Sequence, residues 1–99
     1  MAADLSRIRN MENCLEECSE VTEQLAIRLD QMKDLREKMI RLFEYYGSEE
    51  WHLDRDAELP DGFPAGVLTE DLIYNLIMDV KESAIQMLEL ATDILKNRL

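Results

Sequence analysis

The sequence predicts an all-α fold, a long helical hairpin whose two arms meet at a short joint of helix and loop. All three glycines (Gly47, Gly62, Gly66) and both prolines (Pro60, Pro64) fall within one twenty-residue stretch, so the segments on either side run without a breaker. On both sides apolar residues recur at steps of three and four, the period of one helical face. The composition, 46% hydrophobic and 33% charged, is that of a folded helical protein and not of a disordered tail.

The first arm is expected over residues of about 4–46. Ile8, Met11, Leu15, Cys18, Leu25, Leu29, Met32, Met39 and Leu42 form its stripe, and Leu35 and Phe43 widen it. Glu37–Arg41 and Asp34–Lys38 place an acid four residues before a base, which supports the exposed face. A helix of this length spans ~65 Å. Its weak point is Ser19 to Thr22, where Ser19, Val21 and Thr22 are poorer helix formers. Gly47 ends the arm, because glycine takes the left-handed C′ conformation without steric cost.

The joint is expected over about 47–68. Ser48 is placed to cap a short helix from Glu49 to Asp54, with Glu49 and Glu50 at its positive end. Asp61-Gly62-Phe63-Pro64 reads as a turn. The second arm is expected over about 69–98, opened by Thr69 as N-cap with Glu70 and Asp71 in the first turn. Its stripe runs through Ile73, Ile77, Val80, Met87 and Ile94.

At ~45 Å the second arm is too short to cover an unbroken first arm. Two outcomes satisfy that mismatch. Either two hairpins pair as an antiparallel four-helix bundle dimer, the leading expectation, or the first arm breaks near Ser19–Thr22 and gives a monomeric three-helix bundle. In both cases residues 1–99 form a single helical domain with a modest core.

Charge bounds the partners. The chain carries 22 acids and 11 bases, a net of −11, and residues 47–71 hold eight acids against one base. Such a chain is repelled by nucleic-acid phosphates and anionic membranes, so no direct nucleic-acid or membrane binding is expected. No run approaches the ~20 apolar residues of a membrane span, and the start lacks a basic segment followed by an apolar one, which points to the cytoplasm. Cys14 and Cys18, one turn apart, are expected to be reduced thiols packed as small core residues.

The joint also carries a family likeness. Tyr45-Tyr46-Gly47-Ser48-Glu49-Glu50-Trp51, then Asp54, Asp56, Leu59 and Pro60, then Gly66-Val67-Leu68-Thr69-Glu70-Asp71-Leu72-Ile73-Tyr74-Asn75-Leu76, resembles the signature of a small family catalogued as domain of unknown function number 4298. Members of that family carry a longer basic insert before the Gly-Val-Leu step, where this chain has the short, non-basic Asp61–Ala65. The resemblance implies a helical fold and a bacterial origin, and implies no chemistry.

Catalytic and metal constellations are thin. Glu49 and His52 make a Glu-x-x-His pair of the kind found in di-iron bundles, and Asp54 and Asp56 add carboxylates, so these four are the candidate metal ligands. The pair sits in a short joint helix and not inside a long core helix, and no metal or other cofactor is expected. Asp54, Asp56 and Glu58 match the first three oxygen positions of a calcium loop, but Leu59 stands where glycine is needed and Ala65 where the closing glutamate is needed. One histidine, no nucleophile paired with a base and no glycine-rich phosphate loop leave no basis for an enzyme.

What remains is recognition. Five of the six aromatics lie at or beside the joint among its acids, so Trp51, Asp54, Asp56, Glu58, Asp61 and Phe63 are the candidate partner-binding residues. For Trp51 and Phe63 the favoured role is as plugs of the hairpin end, with ring faces buried and the acids outward. The expected partners are a second copy of this chain and a protein with a basic surface. An acidic mimic of nucleic-acid charge is a further alternative.

Overall fold

A computed structural model describes residues 2–97. Among the described residues there are three α-helices, one 3-10 turn and no strand. The order is α1 (Leu5–Tyr45), α2 (Glu49–Arg55), the turn Gly66–Leu68, and α3 (Glu70–Leu95). The chain divides into two compact units, Met1–Lys38 and Met39–Leu99, with the boundary inside α1.

The first unit is helical from Leu5 onward. Asp4 caps it: its carboxylate accepts from the Arg7 amide at 3.0 Å, and its carbonyl accepts from the Ile8 amide at 3.1 Å. That satisfies donors the first turn would otherwise leave open. The helix passes through Ser19–Thr22 without interruption, so the alternative with a break there is corrected. The physical reason is scale. Three residues of middling propensity weaken a helix by roughly 0.5 kcal/mol each, whereas breaking one in mid-length forfeits several hydrogen bonds and creates two new uncapped ends.

The exposed face of α1 is not laced as the sequence suggests. Neither Glu37–Arg41 nor Asp34–Lys38 closes among the described residues; the ion pair on this helix is Asp30–Lys33 at 3.9 Å, both side chains exposed. At that exposure it contributes little. No residue of α1 is buried. Leu15, Leu25 and Leu29 remain 59%, 48% and 38% exposed, and Cys14 and Cys18 are exposed free thiols, so the chain does not pack them as core cysteines.

The second unit holds what core there is. Among the described residues its buried side chains are Trp51 of α2 and Ile73 in the first turn of α3, each 3% exposed. α1 closes as expected: the Tyr46 amide still donates to Leu42, the Ser48 amide donates to Tyr45 at 3.0 Å, and Gly47 turns the chain with φ +77°. The Ser48 side chain then accepts from the Trp51 amide at 3.2 Å and starts α2. At the predicted turn the Phe63 amide donates to the Pro60 carbonyl at 3.1 Å, with Gly62 at φ +76°.

Two local expectations need correction. Thr69 has the extended backbone of an N-cap but does not cap α3 with its side chain. Its hydroxyl donates instead to the Gly66 carbonyl at 2.8 Å, and its amide donates to the same oxygen at 3.2 Å. The 3-10 turn, which the sequence reading lacks, is what places that carbonyl within reach. α3 stops at Leu95, where Asn97 adopts φ +58°, the left-handed conformation asparagine tolerates at a helix end. Arg98 and Leu99, at the predicted end of the arm, lie outside the described residues.

Beyond Val80 the apolar face of α3 is open: Ile85, Met87, Leu88, Leu90 and Ile94 are all exposed by 42% or more. Both units therefore carry an apolar stripe far larger than the core the chain builds.

Candidate functional site

The joint is held by Trp51. Its indole nitrogen donates to the Val67 carbonyl at 2.8 Å, which ties α2 to the 3-10 turn. The Tyr46 ring meets it edge-on with centroids 5.3 Å apart, and the Arg55 guanidinium lies 5.2 Å from the ring centroid. Burying such a ring removes a large apolar area from water, and the aromatic and cation–π geometries each add about 0.5–1 kcal/mol. Tyr46 reaches on to the Glu70 carbonyl through its hydroxyl at 3.0 Å, and Arg55 pairs with the Glu70 carboxylate at 2.8 Å. The joint's single base thus joins α2 to the first turn of α3.

This arrangement sorts the candidate residues. Trp51 has almost no surface left for a partner, and its place is the plug. Phe63 is the reverse: it is 58% exposed and plugs nothing. Asp54, Asp56, Glu58 and Asp61 are all exposed. Asp54 is also positioned, because the Tyr45 hydroxyl donates to its carboxylate at 2.7 Å. That bond, reinforced by the nearby negative charge of Asp54 and Glu50, pushes the Tyr45 phenol up to about 12.

Tyr45, Asp54, Leu59, Phe63, Val67 and Leu68 line an open hollow on this unit. The Tyr45–Asp54 pair is part of its lining, the rest of the lining is apolar, and the exposed acids follow Asp54 along the chain. A second, more apolar hollow is lined by Leu42, Pro64, Val67, Leu72, Ile73 and Leu76. Gly66 also lines it, and a Cβ there would stand 3.1 Å from the Leu72 side chain, so the backbone packs closely at this point.

The four metal candidates do not assemble. Among the described residues no group of three or more histidine, cysteine, aspartate or glutamate side chains comes together as a metal site. Asp54 stands on a different face of α2 from Glu49 and His52 and is engaged by Tyr45. His52 lies edge-on to its neighbour Trp51 with ring centroids 5.0 Å apart.

Residues the sequence reading undervalued are Tyr45, Arg55 and Leu59. The signal was present in two of them. Tyr45 lies nine residues before Asp54 across a glycine turn, and Arg55 is a lone base among eight acids, which marks it for internal pairing.

Fold and site together define an all-helical protein with a long first helix and an acidic, tryptophan-pinned joint. The chain belongs to the family described as Domain of unknown function (DUF4298), which it matches over residues 8–90. No curated protein matches it. Among the described residues no helix is long and apolar enough to cross a membrane.

Proposed function

We propose that this protein is a non-enzymatic, cytoplasmic protein–protein interaction module that self-associates through its long helices and engages a basic partner at the acidic joint. The observation that carries the reading is the hollow beside Asp54. An apolar wall with Phe63 and Leu59 exposed accepts a hydrophobic side chain, and the acids following Asp54 attract the basic residues around it. Recognition surfaces of this kind draw affinity from a few apolar anchors and draw specificity and association rate from the charged rim. Arg55 is occupied by Glu70, so it does not offset the rim.

Self-association is supported by the exposed stripes. Two buried residues among those described are a small core, and pairing two copies as a four-helix bundle covers apolar faces that water otherwise meets.

The test is affinity purification of the tagged protein from its native cytoplasm beside two variants, Asp54→Asn/Asp56→Asn/Glu58→Gln and Phe63→Ala. A protein with a basic surface that is retained by the wild type, lost from both variants and released by salt supports the reading. Equal capture by all three forms, or capture of the chain's own copies alone, refutes the role of the joint.

A further inference from the structure

The stripe of α1 has a stricter order than a helical face requires. From Ile8 to Phe43 it advances by alternating steps of three and four, which is one unbroken a/d heptad series, and only Thr22 and Arg36 depart from apolar character in it. Sustained over five heptads, this is the pattern of a helix that packs along another helix for its whole length. Within the chain no residue of α1 is buried.

The charges on α1 say what the other helix is. Residues 12–23 carry five glutamates and no base, while residues 28–41 carry five bases against three acids. One half of the helix is the electrostatic complement of the other. We infer that α1 pairs with α1 of a second copy as an antiparallel coiled coil centred on Ile27, with each residue facing the one equally far on the other side of that centre. The inference rests on the self-association proposed above and assigns its partner, direction and register.

This register satisfies the sequence at three levels. Leu25 meets the second copy's Leu29, and Leu15 meets its Met39, which are the alternating a-with-d layers an antiparallel pair requires. Arg36, the one charged residue of the seam, falls opposite Cys18, inside the acidic stretch of the second helix. The parallel in-register alternative stacks Arg36 on Arg36 and sets the acidic half of one helix beside the acidic half of the other, a like-charge arrangement the antiparallel direction avoids. A shift of one heptad in the antiparallel sense sets Arg36 opposite Met11 or Leu25, outside the acidic stretch.

The arrangement has a functional consequence. The antiparallel direction puts the α1 C-terminus of each copy, which leads into its acidic joint, at opposite ends of the paired helices, so the pair carries two acidic joints and not one.

The test is a set of distances. In a Cys14→Ser/Cys18→Ser background, Asn13→Cys, Glu20→Cys and Asp34→Cys each add one thiol on the outward face of α1, where a nitroxide label leaves the seam intact. Pulsed dipolar spectroscopy on each labelled dimer reads one distance between the two copies. Glu20 and Asp34 lie equally far from Ile27, so their distances are expected to agree, with an axial offset of about 21 Å, and Asn13 is expected to give a longer one from an offset of about 42 Å. Equal distances at all three sites mean a parallel pair and overturn the inference. Unequal distances at Glu20 and Asp34 mean a different register and overturn it too. A monomer by light scattering at the labelling concentration removes the self-association itself, while leaving the acidic joint to its own test.

Discussion

Removal of the Trp51 ring is the sharpest probe of how the joint is built. The side chain is 3% exposed, donates to Val67 at 2.8 Å, and is packed by Tyr46 and Arg55. Trp→Ala at a buried site costs about 3–5 kcal/mol, and a joint with one other buried residue collapses readily into the space, so about 3 kcal/mol is expected. In a chain of this length that lowers the melting temperature by roughly 12–24 °C. Trp51→Phe separates the contributions: the apolar body stays and the indole N–H is lost, leaving the Val67 carbonyl without its donor, for about 1–2 kcal/mol. Both variants are compared with wild type by thermal unfolding in far-ultraviolet circular dichroism at matched protein concentration, because the proposed self-association would make the midpoint concentration-dependent. Trp51→Ala within about 0.5 kcal/mol of wild type refutes the account of the joint as pinned by this ring. Trp51→Phe as damaging as Trp51→Ala refutes packing as the larger contribution and leaves the hydrogen bond in its place.

Three further outcomes are expected. Tyr45 has its folded pKa raised to about 12, above an unfolded value of 10.0, so the stability from its bond to Asp54 is fully present below pH 10.0 and is lost as pH rises towards about 12. Phenolate absorbance is expected to show Tyr45 titrating late, and Asp54→Asn is expected to lower its pKa; a titration unchanged by Asp54→Asn would exclude the bond. Ser48→Ala removes the cap on the Trp51 amide and is expected to cost about 1 kcal/mol by chemical denaturation, with Ser48→Thr largely preserving stability. Leu25→Asp puts a charge in the centre of the α1 stripe without touching the joint, and is expected to yield monomers by analytical ultracentrifugation; an unchanged mass would show that α1 is not the self-association surface.

Much of this architecture is legible in one dimension because helices are local objects. The glycine- and proline-free runs, the left-handed Gly47, the Ser48 cap and the Pro60–Phe63 turn each depend on residues within a few positions of one another, and local sterics and hydrogen bonding decide them. The continuity of α1 through Ser19–Thr22 is nearly local as well. Propensity is lower there, and the energy of an intact helix overrides it.

The joint's contents needed three dimensions. That Trp51 is sealed while Phe63 stands open could not be read from two aromatics in the same acidic segment. The difference comes from one carbonyl, that of Val67, which a 3-10 turn sixteen residues along the chain delivers to the indole. The same turn diverts the Thr69 hydroxyl to Gly66 and cancels the expected cap. The four metal candidates lie within eight residues in sequence, yet α2 spreads them over different faces and Tyr45 takes one of them. The sequence alone determined where the two long helices and the joint between them lie and where negative charge accumulates, since both are sums over near neighbours. Tertiary structure decided which aromatic is core, which acid is held and which apolar surface is left uncovered, since those depend on groups that meet only after the chain has turned.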